Sequence, residues 1–234
     1  FGGKLLPSGD TPVERNTPSL TARLWDGTQI SFDGQASLDG NGNPTVISYS
    51  PRVAGQGSLS YQQCATPADR RWIFSPVGSA QQWRFDSTGQ LREHRNASGQ
   101  THSYSYNSAG QVQSITDGFG RSLLFSYTSA GQIASITTPD AQTITYSYDG
   151  QNRPSSVTYP SGSSGGSGTS STVTYHYEDS RFPNALTGIT DEAGIRWQSY
   201  AYDAQGRAIS SQLAGGAEHY QVAYTTTPRS EERR

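Results

Sequence analysis

The sequence predicts an all-β protein, a curved antiparallel meander sheet of repeats about 21 residues long. Aromatic residues recur at this interval, at Phe85, Tyr106, Tyr127 and Tyr148. A short phrase typical of a hairpin turn follows each of the first three, as FDSTGQL, YNSAGQV and YTSAGQI. In the residues before each aromatic, large aromatic or aliphatic side chains alternate with mostly small polar ones. This alternation is typical of a strand whose two faces differ in polarity. A fixed period near twenty residues is typical of a repeat architecture.

The composition agrees with repetitive β-structure. Of the 234 residues, 32% are hydrophobic, 11% are aromatic and 26 are glycine. A disordered chain would be poor in aromatics, so this combination favours a folded, glycine-rich sheet. The net charge of −2 gives no reason to expect nucleic acid or an anionic membrane as a partner. No apolar run approaches the roughly 18 residues that a membrane span needs.

Four parts are predicted along the chain. Residues 1–19 contain Pro7, Pro12 and Pro18, and we expect an extended leader without a visible pairing partner. Residues 20–81 are expected to be degenerate repeats that continue the same sheet, and residues 82–228 are the clear repeats. Residues 229–234 are expected to be the truncated start of the next repeat strand. Because the chain also begins at Phe1 and contains no Met, we expect an open arc of a larger structure.

Each repeat is predicted to turn at a residue with a positive φ angle. Glycine stands four residues after the aromatic in most copies, and Asn152 takes that place in one. Glycine and asparagine are the residues that most readily enter the left-handed region. The residue directly after the aromatic has a side chain that can bond nearby backbone N–H groups. The predicted structural turn residues are Asp86, Gly89, Gly110, Gly131, Asp149, Asn152, Asp203 and Gly206.

The strand before each turn is predicted to place its aromatics on one face of the sheet, where they form a ladder across the repeats. The returning strands fit this alternation less well, because Val112 and Ile115 are an odd number of residues apart. A bulge would reconcile them. The predicted ladder residues are Phe85, Tyr104, Tyr106, Phe125, Tyr127, Tyr146, Tyr148, Tyr175, Tyr177, Tyr200 and Tyr202.

One insertion interrupts the period. The interval from Tyr148 to Tyr177 is longer than the others and contains SGSSGGSGTSS at residues 161–171. These small residues bury no sizeable side chain, so they form either a natural protruding loop or an engineered splice.

Nothing in the sequence has the pattern of a catalytic, cofactor or metal site. The repeated carboxylates Asp86, Asp149 and Asp203 could suggest a glycosidase pair. However, Asn107 and Thr128 stand at the same position in other copies and cannot act as general acids, so the turn interpretation is favoured. We therefore expect no enzyme activity and no cofactor.

The remaining candidate ligands are also poor ones. The four histidines, His94, His102, His176 and His219, show no metal-ligand spacing. Cys64 is the only cysteine and has no histidine nearby in sequence, so a nucleophilic role is disfavoured.

The repeat resembles the YD repeat of the Rhs (rearrangement-hotspot) family. YDAQGRAIS at residues 202–210 is the most similar copy, and TYHYEDSRFPNALTGITDEAG at residues 174–194 resembles a variant repeat of that family. The resemblance covers about residues 71–224. It implies a long β-sheet that spirals into a hollow shell, of which this chain would be one arc. In bacterial members the shell encloses a toxic C-terminal domain, and in the related teneurins it supports adhesion.

The resemblance also implies the partners: the remaining repeats of the shell and an enclosed toxin domain. Exposed strand edges make self-association a further expectation. The parent protein is expected to be bacterial and either secreted or on the cell surface. The Asp-Pro-x-Gly-Leu motif of the family's self-cleavage site is absent, so no release chemistry is assigned.

Two other hypotheses belong to different classes. A YD-repeat surface adhesin would bind carbohydrate or a protein partner and would carry no toxin domain after its last repeat. A polysaccharide hydrolase would need two free carboxylates in a cleft, which the substitutions at the repeated Asp position disfavour.

Overall fold

The structure, a computed structural model, describes residues 4–7, 19–24, 27–38, 44–62, 71–86, 88–161 and 170–224. Cys64, most of the Gly/Ser segment at 161–171 and the predicted truncated strand at 229–234 lie outside these residues. The chain divides into two compact units, residues 1–125 and 126–234. The predicted boundaries at 19, 81 and 228 stay predictions.

The first unit consists of β-strands alone in its described part. In chain order the strands are β1 (Lys4–Pro7), β2 (Leu20–Arg23), β3 (Gln29–Leu38), β4 (Pro44–Pro51), β5 (Ser58–Gln62), β6 (Arg71–Ser75), β7 (Gln82–Phe85), β8 (Leu91–Arg95), β9 (Thr101–Tyr106), β10 (Val112–Asp117) and β11 (Ser122–Tyr127). Each strand pairs antiparallel with the next one in the chain. Short connections between neighbouring strands make this a meander.

The second unit continues the same pattern of elements. Its strands are β12 (Ile133–Thr137), β13 (Thr143–Tyr148), β14 (Pro154–Tyr159), β15 (Ser171–His176), β16 (Gly188–Thr190), β17 (Arg196–Tyr202), β18 (Ala208–Leu213) and β19 (Tyr220–Gln221). Consecutive strands again pair antiparallel. One 3₁₀ turn, Ala214–Gly216, precedes β19. The predicted all-β antiparallel meander is confirmed in both units.

Part of the predicted leader is a paired strand. Lys4–Pro7 forms β1 and pairs residue for residue with Leu20–Arg23. The sequence does not indicate this partner, because four residues are too few to show the alternation that identifies a strand. Among the described residues β1 pairs only with β2, and β19 pairs only with β18, so each of these two strands has one edge without a described partner.

A β-bulge recurs where the chain returns from the turn. In β8, Leu91 opposes Phe85 and Glu93 opposes Arg84, which leaves Arg92 as the extra residue. The extra residues in three further copies are Gln113, Ser155 and Ile209. The bulge shifts the alternation by one residue, so Val112 opposes Tyr106 and Ile115 opposes Tyr104. The odd spacing of Val112 and Ile115 therefore fits one sheet face.

The first unit has an apolar core on that face. Phe32 of β3 contacts Phe74 of β6, three strands further on, with ring centroids 5.9 Å apart at an angle of 69°. This contact requires the sheet of the first unit to bend over its aromatic face. The fully buried rings are Phe32, Phe74 and Phe85, and the buried cluster also contains Leu20, Ala22, Ile30, Tyr49, Leu59, Trp83 and Leu91.

The second unit buries much less apolar surface. Val157 is its one buried hydrophobic residue in the described part of the chain. Its opposite face carries cross-strand hydroxyl pairs, such as Thr137 with Thr143 at 3.1 Å and Thr158 with Thr172 at 3.0 Å. The stability of this unit therefore has to come mainly from bonds within and between neighbouring repeats.

No helix among the described residues has the length and apolar character needed to cross a membrane.

Candidate functional site

The repeated turn has one backbone geometry throughout the chain. The first turn residue donates its N–H to the carbonyl oxygen four residues later, and the fourth residue donates back to the first. In the turn that begins at Asp149 these two bonds are both 2.9 Å long. The same pair of bonds closes the turns that begin at Leu24, Asp86, Asn96, Asn107, Asp117, Thr128, Thr138, Asp149, Asp191 and Asp203.

The fourth turn residue has a positive φ angle. The angle is 80° at Gly89, 76° at Gly110, 81° at Gly131 and 76° at Gly206. Asn152 takes the same conformation at 61°. The turn that begins at Thr138 places Ala141 there at 62°. A residue with a Cβ is strained in this region, which glycine enters freely.

The carboxylates of Asp149 and Asp203 accept hydrogen bonds from their own turn through both oxygens. The Oδ1 of Asp149 accepts the N–H groups of Gln151 at 2.9 Å and Arg153 at 3.0 Å. Its Oδ2 accepts the Nε–H of Arg153 at 2.6 Å. Asp203 makes the same bonds with Gln205 and Arg207. Both oxygens of each carboxylate are therefore already used as acceptors within the turn.

These bonds hold the carboxylates in the charged form. The pKa of Asp149 lies below its usual range, chiefly because the backbone N–H of Arg153 bonds the carboxylate and because its guanidinium does so as well. The pKa of Asp117 is lowered in the same way by Arg121. A group that stays ionised and capped in this way is a poor general acid.

The arginine of the turn reaches the next repeat. The guanidinium of Arg153 lies over the ring of Tyr177, 4.4 Å from its centroid, and also bonds the carbonyl oxygen of Pro183. The guanidinium of Arg207 lies 4.1 Å from the ring centroid of Tyr224. Contacts of this type stabilise by cation–π attraction. We call the set formed by the turn Asp, its Arg and the Tyr beneath it the turn clamp.

Three turn clamps occur in the described residues, Asp86–Arg92–Tyr106, Asp149–Arg153–Tyr177 and Asp203–Arg207–Tyr224. In the first of them the arginine is the bulged residue of β8, six residues after the aspartate, and its guanidinium is 5.1 Å from the ring centroid. Asp117 and Arg121 also form an ion pair, but Arg121 lies over Phe119 of its own turn.

The tyrosine that ends a strand makes a second link between repeats. The hydroxyl of Tyr106 donates to the carbonyl oxygen of Leu91, 15 residues earlier, at 2.7 Å. Tyr148 reaches Ile133 in the same way at 2.9 Å. Tyr202 and Tyr224 bond the carbonyl oxygens of Leu186 and Ala208. Burial raises the pKa of Tyr106 to about 12, so this hydroxyl keeps its proton and remains a donor.

The predicted ladder residues differ between the two units. Phe85 is fully buried, and Tyr104 packs against the buried cluster of the first unit. The other ladder residues, Tyr106, Phe125, Tyr127, Tyr146, Tyr148, Tyr175, Tyr177, Tyr200 and Tyr202, are half-buried. Ring-to-ring contacts run from Phe32 to His102, and none occurs in the described residues from 128 onwards. There the tyrosines contact arginines and backbone carbonyls instead.

The polar cluster of the variant repeat is a structural one. Arg196 bonds both carboxylate oxygens of Glu178, at 2.7 and 2.8 Å, and the carbonyl oxygen of Thr187 at 2.8 Å. The Nε2 of His176 lies 2.7 Å from the hydroxyl of Thr190, but its Nδ1 is 3.9 Å from Glu178. Because the carboxylate is bound to arginine and does not bond the imidazole, these residues lack the geometry of a catalytic triad.

The described residues contain no group of three or more metal-ligating side chains. A cleft of about 390 Å³ lies between the turns at 96–100 and 117–121. Its lining residues include His102, Asp117 and Arg121, of which the last two bond each other.

The turn, the clamp and the tyrosine link together define a β-repeat protein in which side chains of several repeats contact the neighbouring repeat. A family model for the RHS repeat matches residues 127–164, and a model for the teneurin YD-shell matches residues 41–143. Together the two models match residues 41–164, so this part of the chain is similar to the RHS and teneurin YD-shell repeats, as its motifs predicted.

Similar solved structures come from Tc toxins. The crystal structure of TcdB2-TccC3 without its hypervariable C-terminal region has 17% identity and a TM-score of 0.46, with 83% of this chain and 11% of that chain covered. The TcdB2-TccC3-Cdc42 crystal structure has 13% identity, a TM-score of 0.37 and coverages of 84% and 14%. The Photorhabdus luminescens Tc holotoxin pore with a mutated TccC3 has 14% identity, a TM-score of 0.37 and coverages of 84% and 13%.

The chain thus spans only a small part of those proteins. No curated protein matches it. The family match supports a structural, shell-like role for the repeats.

The sequence shows the Asp and Gly positions of the turn but not the partners of its arginine. The spacing Asp-x-x-x-Arg in the turns at Asp149 and Asp203 is the signal from which the ion pair could have been found. The contact with the next tyrosine has no local signal, because the two residues are 17 positions apart at Arg207 and 24 at Arg153.

Proposed function

We propose that this chain is a structural segment of an Rhs/YD-repeat shell that encloses a C-terminal toxin domain in a secreted bacterial protein. We also propose that its own residues catalyse no reaction. The observation that carries the proposal is the turn clamp, since it connects the turns at Asp86, Asp149 and Asp203 to a tyrosine of the following repeat. A wall that grows by adding repeats needs such a link at every step.

The state of the carboxylates supports the absence of catalysis. In Asp149 and Asp203 both oxygens accept hydrogen bonds from their own turn. A glycosidase needs one carboxyl group that can donate a proton and a second that faces the substrate. Capped, ionised carboxylates at the edge of a sheet serve neither role, so we assign them to the fold.

The proposed partners are further repeats of the same shell and the enclosed domain. The strand edges at β1 and β19 would receive the neighbouring repeats. Unpaired backbone donors and acceptors at a strand edge also allow another copy of the chain to bind there, so the isolated segment is expected to self-associate.

Protease protection tests enclosure. The complete protein encoded by the gene is treated with protease, and cleavage of the domain that follows the repeats is timed. We expect that domain to resist cleavage far longer than the same domain produced alone. Arg153→Ala, which removes the contact with the next repeat, should shorten its protection.

Arg121→Ala is the matched control, because Arg121 binds only Asp117 and Phe119 of its own turn among the described contacts. Equal cleavage of the enclosed and the free domain would overturn the proposal. If Arg153→Ala unfolds the repeats, their far-ultraviolet circular dichroism signal is lost. If the variant only opens the shell, the signal is kept, so the two outcomes can be distinguished.

A hydrolysis screen tests the second half of the proposal. The purified chain is incubated with glycosides and esters, and we expect no turnover above that of buffer. Turnover that Asp149→Asn or Asp203→Asn abolishes would show that these carboxylates are catalytic.

An adhesin is the second candidate, and the exposed aromatics of the second unit favour it. Tyr159 and Trp197 are 40% and 39% exposed, and rings of this kind can pack against sugars. Binding of the chain to a glycan array, lost in Trp197→Ala, would favour this candidate.

A further inference from the structure

A row of rings crosses four successive strands of the first unit. Phe74 of β6 opposes Trp83 of β7, Trp83 opposes His94 of β8, and His94 opposes His102 of β9. The ring of His94 is stacked on Trp83, with centroids 4.8 Å apart and an angle of 21°. His102 follows at 6.4 Å and 18°. The core of the first unit thus ends in two adjacent imidazoles.

His94 is the unusual member of this row. Its Nε2 is buried and has no hydrogen-bond partner in the described structure. A neutral imidazole tolerates this position, because the unpaired nitrogen costs only a lost hydrogen bond. A protonated imidazole would place a positive charge and an unsatisfied donor in the same buried place, which costs considerably more.

The charges around His94 do not favour its protonation. On β7 the facing residue is Trp83, while Arg84 pairs with Glu93 on the opposite face. On β8 the guanidinium of Arg92 is bound to Asp86. On β9 the facing titratable groups are His102 and Tyr104.

The next strand offers no free carboxylate either. Asp117 of β10 opposes His102, but its oxygens bond the N–H groups of Phe119 and Arg121 and the guanidinium of Arg121. A proton on His94 would therefore meet a second imidazole and no available anion.

We propose that His94 and His102 form an acid-sensitive junction, which holds β8 against β9 at neutral pH and separates the two strands when it takes up protons. The proposal rests on the register and stacking of the row, and it does not depend on what the repeats enclose. A protein with this junction would open at one defined place when its surroundings become acidic.

The direction of the effect follows from proton linkage. The pKa of His94 is lowered, mainly by burial and also by the neighbouring His102. The open state therefore binds more protons than the closed state below the ordinary histidine pKa of about 6.5. The stability that the neutral His94 gives to the junction is therefore fully present above about pH 6.5 and decreases as the pH falls below that value.

Hydrogen exchange at residue resolution tests this on the whole chain at pH 7.5, 6.5 and 5.5, after correction for the intrinsic pH dependence of exchange. An imidazole of ordinary pKa about 6.5 that takes up a proton only in the open state raises the opening constant at most about fivefold between pH 6.5 and 5.5. We expect the amides of β8 and β9 to lose protection by a factor of up to that size over this interval. The amides of β13 and β14 should not.

Substitutions assign the effect to the two imidazoles. His94→Phe keeps a ring against Trp83 without a proton site and should remove most of the pH dependence. His102→Phe, which replaces the neighbouring imidazole, should reduce the pH dependence, and His219→Gln, at an exposed position, should leave it unchanged. The proposal is overturned if β8 and β9 keep their protection at pH 5.5. It is also overturned if both phenylalanine variants lose protection as the parent chain does.

Discussion

Gly188 of β16 lies directly beneath the guanidinium of Arg196, and we predict that Gly188→Ala destabilises the second unit through this contact alone. A Cβ at Gly188 would lie within 3 Å of the guanidinium atoms. The backbone itself does not forbid alanine, since Gly188 is not among the residues with a positive φ angle. Arg196 must therefore move, and its bonds to Glu178 and Thr187 are lost.

The size of the effect follows from those bonds. Arg196 and Glu178 have side chains 34% and 57% exposed, so the ion pair is screened and contributes about 0.2–1 kcal/mol. The hydrogen bond to the carbonyl oxygen of Thr187, which is buried, adds about 0.5–1.5 kcal/mol. We expect Gly188→Ala to lower the free energy of unfolding by about 1–2 kcal/mol. For a domain of this size the melting temperature falls about 2–4 °C per kcal/mol.

A double-mutant cycle checks the mechanism. Gly188→Ala, Arg196→Ala and the double variant are compared with the parent by thermal and urea unfolding. Without Arg196 the three atoms nearest to the new methyl group are gone, so the double variant should be no less stable than Arg196→Ala. If the losses of unfolding free energy in the two single variants add up in the double variant, the reasoning is refuted. The methyl group would then act on a residue other than Arg196.

The same cycle has a pH dependence. Arg196 lowers the pKa of Glu178 by its side-chain hydrogen bonds, so the stability from this pair is present above the unfolded pKa of the carboxyl group. It is lost as the pH falls through the lowered value. The difference in melting temperature between the parent and Arg196→Ala should therefore shrink between pH 6 and pH 3.

Three further perturbations concern the turns and the tyrosine link. Ala141→Gly should raise the melting temperature, because the left-handed strain that it removes, about 1–2 kcal/mol, outweighs the added freedom of the unfolded chain, about 0.4–1 kcal/mol. Gly131→Ala should lower the melting temperature for the same reason. Equal shifts in melting temperature for the two variants would contradict the turn geometry. Asp149→Asn should flatten the loss of stability below pH 4, since the lowered pKa makes the contribution of this carboxylate disappear as the pH falls through it; an unchanged melting curve against pH would exclude this role. Tyr148→Phe should cost about 0.5–1.5 kcal/mol through the lost hydroxyl bond, and Tyr159→Phe, whose hydroxyl has no such bond in the described structure, should cost less in urea unfolding.

The turns were predictable because they are local. Asn152 in a glycine position identifies a left-handed residue by side-chain chemistry alone, and its φ angle is 61°. Ala141 has the same conformation, but its residue type gives no sign of it. The bulges could be suspected from the odd spacing of Val112 and Ile115, yet their position depends on which residues pair across the two strands.

The contacts that join repeats were not predictable in this way. The contact of Arg153 with the ring of Tyr177 joins residues 24 positions apart, so no local pattern indicates it. The pairing of β1 with β2 likewise depends on residues distant in sequence. For the candidate site the sequence identified the aspartates and tyrosines and missed the arginine between them.

The two units show two ways to stabilise the same repeat. In the first, buried rings such as Phe32 and Phe74 contact each other across several strands. A substitution that leaves a cavity at one of these rings therefore affects many neighbouring residues at once. In the second, Val157 is the one buried hydrophobic residue of the described part, and the clamps at Asp149 and Asp203 each run from a turn to the next repeat. A change in one clamp then weakens one junction and leaves the others intact. Such a unit can be extended by further repeats without forming a new core, because a tyrosine can bind an arginine and a carbonyl oxygen of the preceding repeat, as Tyr224 does. This is the property that a long shell wall requires.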